Sequence, residues 1–320
     1  MAVKFLLVVE LALLAAVGYL TREWEIRLLH GESLPRGTGA LFLRFVRPPH
    51  WIKSSIVFIF VAFPGIHPSL PLVLPIVFFH QAFLFAVNDY FDREVDSLNE
   101  VKRRRNVVSS GELSLAEARA MLALLAVPGL LLPIFLGWPA ALLSVVFLAA
   151  SFAYSAPPFR LKGRVVFDLV SHAFLVFSYS FLFTTLAIAG PTARNVTVYS
   201  ILVLLSISIQ MAQESRDFSD DARVETNSVL ALGFGRAYLL MSFLLSVALA
   251  LSFWLVVSRL GSIFFLVLPA LCSFAIYDLV VSWRKGEHSA YFKNMWFQIN
   301  FKVLSGLCPV LVYWLLRSWF

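Results

Sequence analysis

The sequence predicts an all-α protein that crosses a membrane many times, and three observations support this fold class. First, 60% of its 320 residues are hydrophobic and only 14% are charged, which is more apolar sequence than a soluble core of this size needs. Second, the apolar residues form runs close to the roughly 20 residues with which a helix crosses the hydrocarbon layer. Third, the mean hydropathy is +0.82, and the sequence offers no soluble domain between the runs.

The apolar runs define nine core spans and one additional N-terminal helix. We interpret residues 3–20 as that extra helix, retained rather than cleaved, because Glu10 interrupts the apolar region and no small-residue cleavage site follows. Residues 21–50 are predicted to be a connector with a short surface helix. We therefore expect an N-terminal region at 1–43 and a membrane domain at 44–320. The core spans are predicted at residues 50–65, 69–90, 114–137, 138–156, 165–190, 195–216, 233–259, 262–283 and 294–317.

The charge pattern predicts the orientation of these spans. Long basic loops alternate with short loops that are nearly uncharged, and Lys and Arg accumulate on the cytoplasmic side of membrane proteins. The net charge of +7 is therefore attributed to loops, not to nucleic-acid binding. Cys272 and Cys308 lie in apolar runs, where packing is expected and a disulfide framework is not. We expect an integral protein of the cell (plasma) membrane.

An acidic stretch, Asn88-Asp89-Tyr90-Phe91-Asp92-Arg93-Glu94-Val95-Asp96, closes the second core span. On a helix, Asn88, Asp92 and Asp96 recur every fourth residue and share one face. They present one carboxamide and two carboxylates, and the carboxylates repel each other unless a cation lies between them. Mg²⁺ accepts such oxygen ligands and keeps coordination positions for phosphate oxygens. The alternative is a solvated acidic helix end.

A second acidic stretch closes the sixth core span. Asp217 and Asp221 are again four residues apart, with Glu214 three residues before Asp217. Both stretches fall at predicted cytoplasmic helix ends. Two such clusters facing a common cavity are what a diphosphate held by two magnesium ions requires. Two unrelated solvated helix ends remain the alternative.

Basic residues lie at the start of the first core span, after the first acidic stretch and in the segment that begins at Tyr154. Together they can neutralise phosphate oxygens, although topology alone explains any single one of them. Polar groups within the spans, such as His80, are expected to face a cavity or a bound molecule, with a packing role as the alternative. The candidate substrate-binding residues are Arg47, Lys53, His80, Arg104, Arg105 and Arg160.

These motifs resemble those of the UbiA superfamily of intramembrane prenyltransferases. Asn88, Asp89, Asp92 and Asp96 match the superfamily's Asn-Asp-x-x-Asp-x-x-x-Asp motif, and Asp217 with Asp221 matches its Asp-x-x-x-Asp motif. Between them, Tyr154-Ser155-Ala156-Pro157-Pro158-Phe159-Arg160-Leu161-Lys162 is similar to the superfamily's Tyr-Ser-x-Pro-Pro segment with trailing basic residues. The resemblance covers residues 44–317.

The resemblance implies nine transmembrane helices around a central cavity. It also implies Mg²⁺-dependent transfer of an isoprenoid chain from a polyprenyl diphosphate, such as geranylgeranyl diphosphate, to a lipophilic acceptor. The acceptor class is an aromatic or quinone precursor or a glycerol-phosphate ether lipid, and diphosphate is released. By this resemblance Asn88, Asp92 and Asp96 hold one magnesium, Asp217 and Asp221 hold the other, and Lys53, Arg105, Tyr154 and Lys162 contact the diphosphate. The implied catalytic residues are Asp92, Tyr154, Lys162 and Asp217.

Two other functions fit the same features. The segment from Arg47 to Lys53 resembles a segment of the superfamily branch that transfers phosphoribose to polyprenyl phosphate. A non-catalytic protein that binds or transports anionic lipids would use similar acidic and basic clusters. The chain also departs from the superfamily pattern. Asn106 follows Arg105 where many relatives have Pro, and Val224 or Glu225 stands where many have Gly. These departures leave the acceptor open.

Overall fold

The computed structural model of the chain describes residues 2–29, 37–63, 65–221 and 226–258, with residues 32, 34 and 35 and parts of 272–284. All regular secondary structure in these ranges is helical, which confirms the all-α expectation. In chain order the α-helices are α1 (Ala2–Leu29), α2 (Thr38–Val46), α3 (Ile52–Ala62), α4 (Leu70–Asp96), α5 (Glu100–Arg105), α6 (Leu115–Leu131), α7 (Trp138–Ser155), α8 (Phe167–His172), α9 (Tyr179–Thr184), α10 (Ala193–Asp221), α11 (Ser228–Leu232) and α12 (Phe234–Val257).

The apolar helices identify an integral membrane protein. In the described ranges, six helical segments are long and apolar enough to cross a bilayer, and a bent pair of helices gives a seventh if it counts as one span. The six are Val3–Trp24, Leu70–Asp96, Leu115–Leu136, Trp138–Ser155, Ala193–Ser215 and Phe234–Val257. The predicted spans 262–283 and 294–317 lie wholly or largely outside the described residues, so the count of nine core spans stays a prediction.

Helix boundaries extend beyond the apolar runs where charged helix formers follow them. α1 continues to Leu29, nine residues past the end of the predicted span, because its last turns are rich in Arg, Glu and Leu, which favour helix without being apolar throughout. α4 likewise continues from the end of its apolar run to Asp96. The acidic stretch therefore forms the last turns of α4, as the four-residue spacing of its polar side chains predicts.

The predicted span 165–190 is a bent helix. Phe167–Phe177 and Tyr179–Ala189 meet at an angle of 57°, and π-helical turns occupy Ala173–Phe177 and Thr185–Ala189. At the bend, the Ser178 hydroxyl donates a hydrogen bond to the Ala173 carbonyl at 2.6 Å. A π-turn next to a serine that bonds the preceding turn is a recognised cause of such kinks.

The described residues form two compact units. The first comprises the chain up to Arg160 together with Leu186–Ala189, and the second comprises Leu161–Thr185 and the described residues from Gly190 onward. In the first unit α4 packs against α6 and α7, and α1 and α2 also contact α4. In the second unit α10 packs against α8, α11 and α12. Each unit therefore has a central helix, α4 or α10, that carries one of the two acidic motifs.

Candidate active site

The first acidic motif occupies the last turns of α4, in the first unit. The helix is continuous from Leu70 to Asp96, so Asn88, Asp92 and Asp96 lie at successive positions on one helix face. Asp96 is buried, whereas Asn88 and Asp92 are partly accessible. The structure thus places on one helix face the three residues predicted to bind one magnesium ion.

Asp89, the second residue of the motif, forms a buried ion pair with Arg47. The Arg47 Nε donates to Asp89 Oδ2 at 3.0 Å, and Nη2 lies 2.5 Å from Oδ1 as an ion-pair contact. The side chains are only 8% and 1% exposed. Arg105 attracts Asp89 electrostatically as well, while Asp92 and Asp96 repel it. Asp89 is therefore a structural anchor of the motif, and the expected contact of Arg47 with substrate stays a prediction.

A buried asparagine that follows α5 holds the end of the motif. Asn106 Nδ2 donates to the main-chain oxygen of Asp89 at 2.8 Å and to Asp96 Oδ2 at 2.9 Å. The next residues add a further tie, because the Ser109 hydroxyl donates to the Arg93 carbonyl at 2.8 Å. The connection between α5 and α6 therefore packs directly against the acidic end of α4.

The segment after α7 also reaches the motif. The Ser155 hydroxyl donates to Asn88 Oδ1 at 3.2 Å, and Arg160 Nη2 lies 3.5 Å from Asp92 Oδ1. Both belong to the stretch that resembles Tyr-Ser-x-Pro-Pro, which was separate from the acidic motif in sequence. Arg160 thus lies beside Asp92, and its expected contact with substrate stays a prediction.

The remaining predicted residues of the first unit have varied surroundings. Arg104 pairs with Glu100 at 2.5 Å on the surface of α5. Arg105 and Arg47 line one small cavity of about 30 Å³. Lys53 lies in α3 and Tyr154 in the last turn of α7, and both are partly accessible. The contacts expected between these residues and the substrate stay predictions.

His80 is fully buried within α4 and contacts α6. Its Nε2 lies 2.8 Å from the Gly129 carbonyl oxygen, and its ring packs against Phe147 with the centroids 5.2 Å apart. These contacts agree with the packing role that the sequence left as an alternative. The expected contact of His80 with substrate stays a prediction.

The second acidic motif lies in the second unit at the end of α10. The helix continues to Asp221, so the backbone at Asp217 and Asp221 has the predicted helical spacing. Their side chains lie outside the described part of the structure, and their metal-binding role stays a prediction. Lys162 lies in a short 3₁₀ turn, Leu161–Gly163, and is partly accessible.

The second unit also contains a buried carboxylate network that the motif analysis did not assign. Asp168 accepts hydrogen bonds from the Ser228 amide and hydroxyl, each at 2.6 Å. Glu214 accepts from Gln210 Nε2 at 2.9 Å and from the Val229 amide at 3.2 Å. Both carboxylates thus accept hydrogen bonds from backbone amides at the start of α11. Their presence inside apolar spans was the only sequence signal of this role.

The first motif has suitable chemistry for magnesium. Its potential ligands are oxygens of one carboxamide and two carboxylates, which a hard cation prefers. Among the side chains that the structure describes, no three His, Cys, Asp or Glu residues form a metal site by themselves. A cation bound at this motif would thus need further oxygens, and Mg²⁺ commonly takes these from water and substrate phosphates.

The fold and the motif together define a class: an integral membrane protein whose oxygen-rich helix end is suited to binding a metal-complexed anion. Comparison with known families gives the assignment. The model of the UbiA prenyltransferase family matches residues 53–302, so the chain belongs to this family and is a UbiA-type prenyltransferase. The expectation of an enzyme is thereby confirmed.

Curated relatives fall into more than one branch of the family. The chain is 26% identical over 223 residues to a digeranylgeranylglyceryl phosphate synthase of Pyrococcus horikoshii, covering 63% of this chain and 76% of the relative. It is 30% identical over 251 residues to a 4-hydroxybenzoate octaprenyltransferase of Enterobacter sp., covering 75% and 81%. The two relatives have names that refer to different acceptors.

Solved structures with the same fold include a UbiA homologue from Archaeoglobus fulgidus bound to GPP and Mg²⁺. It superposes with a TM-score of 0.67 at 19% identity, covering 87% of this chain and 98% of the other. A structure described as digeranylgeranylglyceryl phosphate synthase gives a TM-score of 0.64 at 21% identity, covering 86% and 96%. At these identities the similarity establishes the fold.

Proposed function

We propose that the protein transfers an isoprenoid chain from a polyprenyl diphosphate to a lipophilic acceptor, with Mg²⁺ as cofactor and diphosphate as the second product. The observation that carries the proposal is the end of α4, where Asn88, Asp92 and Asp96 share one helix face and Arg160 lies beside Asp92. Oxygen ligands next to a guanidinium are suited to a diphosphate complexed with metal, because the metal and the guanidinium bind different phosphate oxygens.

The comparisons support the same reaction. A structural neighbour is described as bound to GPP and Mg²⁺ and another to DMAPP and Mg²⁺. The curated relatives are named for glycerol-phosphate and hydroxybenzoate acceptors. We therefore propose an acceptor from one of these two classes: a glycerol-phosphate ether lipid, or an aromatic precursor of a quinone.

The proposed reaction has a simple bond balance. The bond between the allylic carbon and the diphosphate oxygen breaks, and its electron pair leaves with the diphosphate. The nucleophilic atom of the acceptor forms a bond to that carbon and releases a proton. Magnesium, when bound, supplies positive charge that stabilises the departing diphosphate.

The protein's own residues position the reacting groups in this proposal. Asn88, Asp92 and Asp96 hold one metal, and Asp217 with Asp221 holds the other. Lys53, Arg105 and Lys162 neutralise phosphate oxygens and Tyr154 donates a hydrogen bond to them, so that the leaving group is stabilised as its charge develops. The apolar surroundings exclude water, which would otherwise compete with the acceptor.

We further propose that the site faces the cytoplasm at the plasma membrane. The connection from α4 to α6 contains Lys102, Arg103, Arg104 and Arg105. Such basic loops are retained on the cytoplasmic side. Soluble metal ions and diphosphate exchange with that compartment in this arrangement.

The experiment that tests the proposal uses purified full-length protein, Mg²⁺ and radiolabelled geranylgeranyl diphosphate. A panel of glycerol-phosphate and aromatic acceptors is offered, and labelled products are separated from the substrate. We expect one acceptor class to give a labelled product that requires Mg²⁺ and disappears in Asp92→Ala. Glu94→Ala is the matched control, because Glu94 lies in the same turns of α4 but is 82% exposed and outside the proposed ligand face.

Each other result has a defined meaning. Full turnover in Asp92→Ala contradicts the site assignment, and equal loss in Glu94→Ala shows that the substitutions act through folding or surface charge. If no acceptor gives product, polyprenyl phosphate with phosphoribosyl diphosphate is the next substrate pair to test. Turnover of that pair alone would replace isoprenoid transfer as the function.

A further inference from the structure

We infer that Asn106 is a positioning residue for the first metal site. Its carboxamide orients the Asp96 carboxylate toward the cation and ties that carboxylate to the backbone of the same motif. The inference rests on the proposed function, since it concerns a metal site that the proposal assigns to Asn88, Asp92 and Asp96. It assigns a role to a residue that belongs to neither acidic motif.

The hydrogen bonds of Asn106 use its full capacity. The side chain is 0% exposed. Nδ2 donates to the main-chain oxygen of Asp89 at 2.8 Å and to Asp96 Oδ2 at 2.9 Å. Oδ1 accepts from the amides of Val108 at 3.0 Å and Ser109 at 3.2 Å. Both N–H groups and both lone pairs are thus used, and exchanging O and N by a flip would place like groups against each other.

This arrangement commits one oxygen of the Asp96 carboxylate to a hydrogen bond. Asn106 engages Oδ2, while Oδ1 has no hydrogen-bond donor among the described residues. Asp96 is 7% exposed, so packing and one hydrogen bond from a fully anchored amide determine its rotamer. Partners of this kind fix the orientation of metal ligands, and removing them commonly lowers metal affinity about 10–100-fold.

The main chain of Asn106 is anchored as well as its side chain. Its backbone N–H is also in use here, because it donates to the Lys102 carbonyl at 2.9 Å. Both the main chain and the side chain of Asn106 are therefore anchored, and the contact with Asp96 requires the side-chain amide donor.

The most informative variant is Asn106→Ser. A serine hydroxyl can accept from the amides two and three residues later, as asparagine does, so the turn at Val108 and Ser109 is retained. The hydroxyl is too short to reach Asp96, so the donor to the carboxylate is lost. We expect the dissociation constant for Mn²⁺, measured on purified protein by the electron paramagnetic resonance signal of the unbound ion, to rise about 10–100-fold.

Ser109→Ala is the matched control. It removes the hydrogen bond from Ser109 to the Arg93 carbonyl, which ties the same segment to the same helix without touching a motif carboxylate. We expect its Mn²⁺ affinity to equal that of the wild type. Equal weakening in both variants, or wild-type affinity in Asn106→Ser, overturns the inference, because Asn106 would then act only by anchoring the segment or not at all.

Activity measurements separate this inference from the proposed function. In Asn106→Ser we expect a higher Mg²⁺ concentration for half-maximal rate, with the KM for prenyl diphosphate unchanged at saturating Mg²⁺. If the wild type binds Mn²⁺ but transfers no isoprenoid, the proposed function fails, and weaker Mn²⁺ binding by Asn106→Ser still supports the positioning role. If the wild type is active and Asn106→Ser binds Mn²⁺ normally, only the positioning role fails.

Discussion

Asp89 differs from the other acidic groups of its motif because its ion pair is almost completely buried. Arg47 contacts both of its carboxylate oxygens, and the two side chains are almost completely buried. Burying two charges costs solvation free energy, and their attraction repays it only while both partners are present. The pair therefore fixes the motif to the chain before α3, and each partner depends on the other.

Arg47→Ala is predicted to destabilise the protein strongly. It leaves the Asp89 carboxylate buried without its main partner, and breaking such a pair typically costs about 3–5 kcal/mol. The thermal unfolding midpoint of the detergent-solubilised protein measures the loss. Arg104→Ala is the control, because Arg104 pairs with Glu100 on the surface, where such pairs contribute about 0–1 kcal/mol. Equal midpoints for the two variants would contradict a structural role for Arg47.

The sequence predicts the positions of the motif residues but not their partners in the fold. The spacing of four residues was sufficient to place Asn88, Asp92 and Asp96 on one helix face, because helix geometry is local. The partners of the motif were not predictable in the same way. Arg47 lies 42 residues from Asp89, and Arg160 lies 68 residues from Asp92. Such contacts depend on helix packing, which neither spacing nor hydropathy specifies.

The contact between helices α4 and α6 depends on a glycine. A Cβ atom added at Gly129 would lie 3.3 Å from His80 Cδ2, and the Gly129 carbonyl already contacts the His80 ring. The neighbouring ring is fully buried and has little room to move. Close approach of the two helices therefore requires the absence of a side chain at this position.

Gly129→Ala is accordingly predicted to destabilise the protein by about 1–3 kcal/mol, the usual cost of overpacking a tight interior. The thermal unfolding midpoint measures this loss as well. Gly235→Ala is the matched control, since an added Cβ there meets nothing within 4 Å and alanine is a better helix former than glycine by about 1 kcal/mol. A Gly129→Ala midpoint at or above that of Gly235→Ala would contradict the packing argument.

The short helix α11 depends on carboxylates from elsewhere in its unit. Asp168 accepts from the amide and hydroxyl of Ser228, and Glu214 accepts from the amide of Val229. These amides have no partner within the helix because they lie in its first turn. A five-residue helix is not stable in isolation, so its order is expected to follow from these contacts.

Asp168→Ala is predicted to increase hydrogen exchange of the amides in 228–232. The substitution removes the acceptor for Ser228, and local opening of α11 then costs less free energy. Hydrogen exchange followed by mass spectrometry measures the change in peptides that cover this helix. Thr226→Ala is the control, since Thr226 is exposed and its hydroxyl donates to the Gly163 carbonyl instead. Unchanged exchange in Asp168→Ala would show that α11 does not depend on this carboxylate.

Helix boundaries were predictable only where the helix and its apolar run begin and end at nearly the same residues. α7 and α12 begin and end within two residues of their predicted spans, because loops with Gly or Pro flank them. α1 and α4 extend further, since charged residues end an apolar run without ending a helix. The bend at Ser178 was not predicted, because Phe167–Ala189 is apolar throughout its length apart from a few polar groups that hydropathy averages away.

For the molecule as a whole, the number of crossings determines which loops share a side of the membrane. Leu98 lies after α4 and Pro191 lies before α10. Between them are the spans Leu115–Leu136 and Trp138–Ser155 and the bent pair Phe167–Phe177 with Tyr179–Ala189. Three crossings place Leu98 and Pro191 on opposite sides, whereas a bent pair that returns to its starting side leaves them on the same side.

We predict that these two loops lie on opposite sides, with Leu98 in the cytoplasm beside the basic residues 102–105. The test uses a chain without Cys272 and Cys308 that carries either Leu98→Cys or Pro191→Cys, both at exposed positions. In right-side-out vesicles, a membrane-impermeant maleimide should label Pro191→Cys directly and Leu98→Cys only after permeabilisation.

The labelling pattern tests orientation and span count separately. Labelling of Leu98→Cys alone in sealed vesicles would reverse the orientation and place the first acidic motif outside the cytoplasm, although three crossings would stand. Protection of both cysteines would instead show that the bent pair does not cross. Because the retained activity of each variant can be measured in the same vesicles, the pattern can be assigned to correctly inserted protein. Only external Pro191 with internal Leu98 agrees with both the charge of the loops and the bent pair as one span.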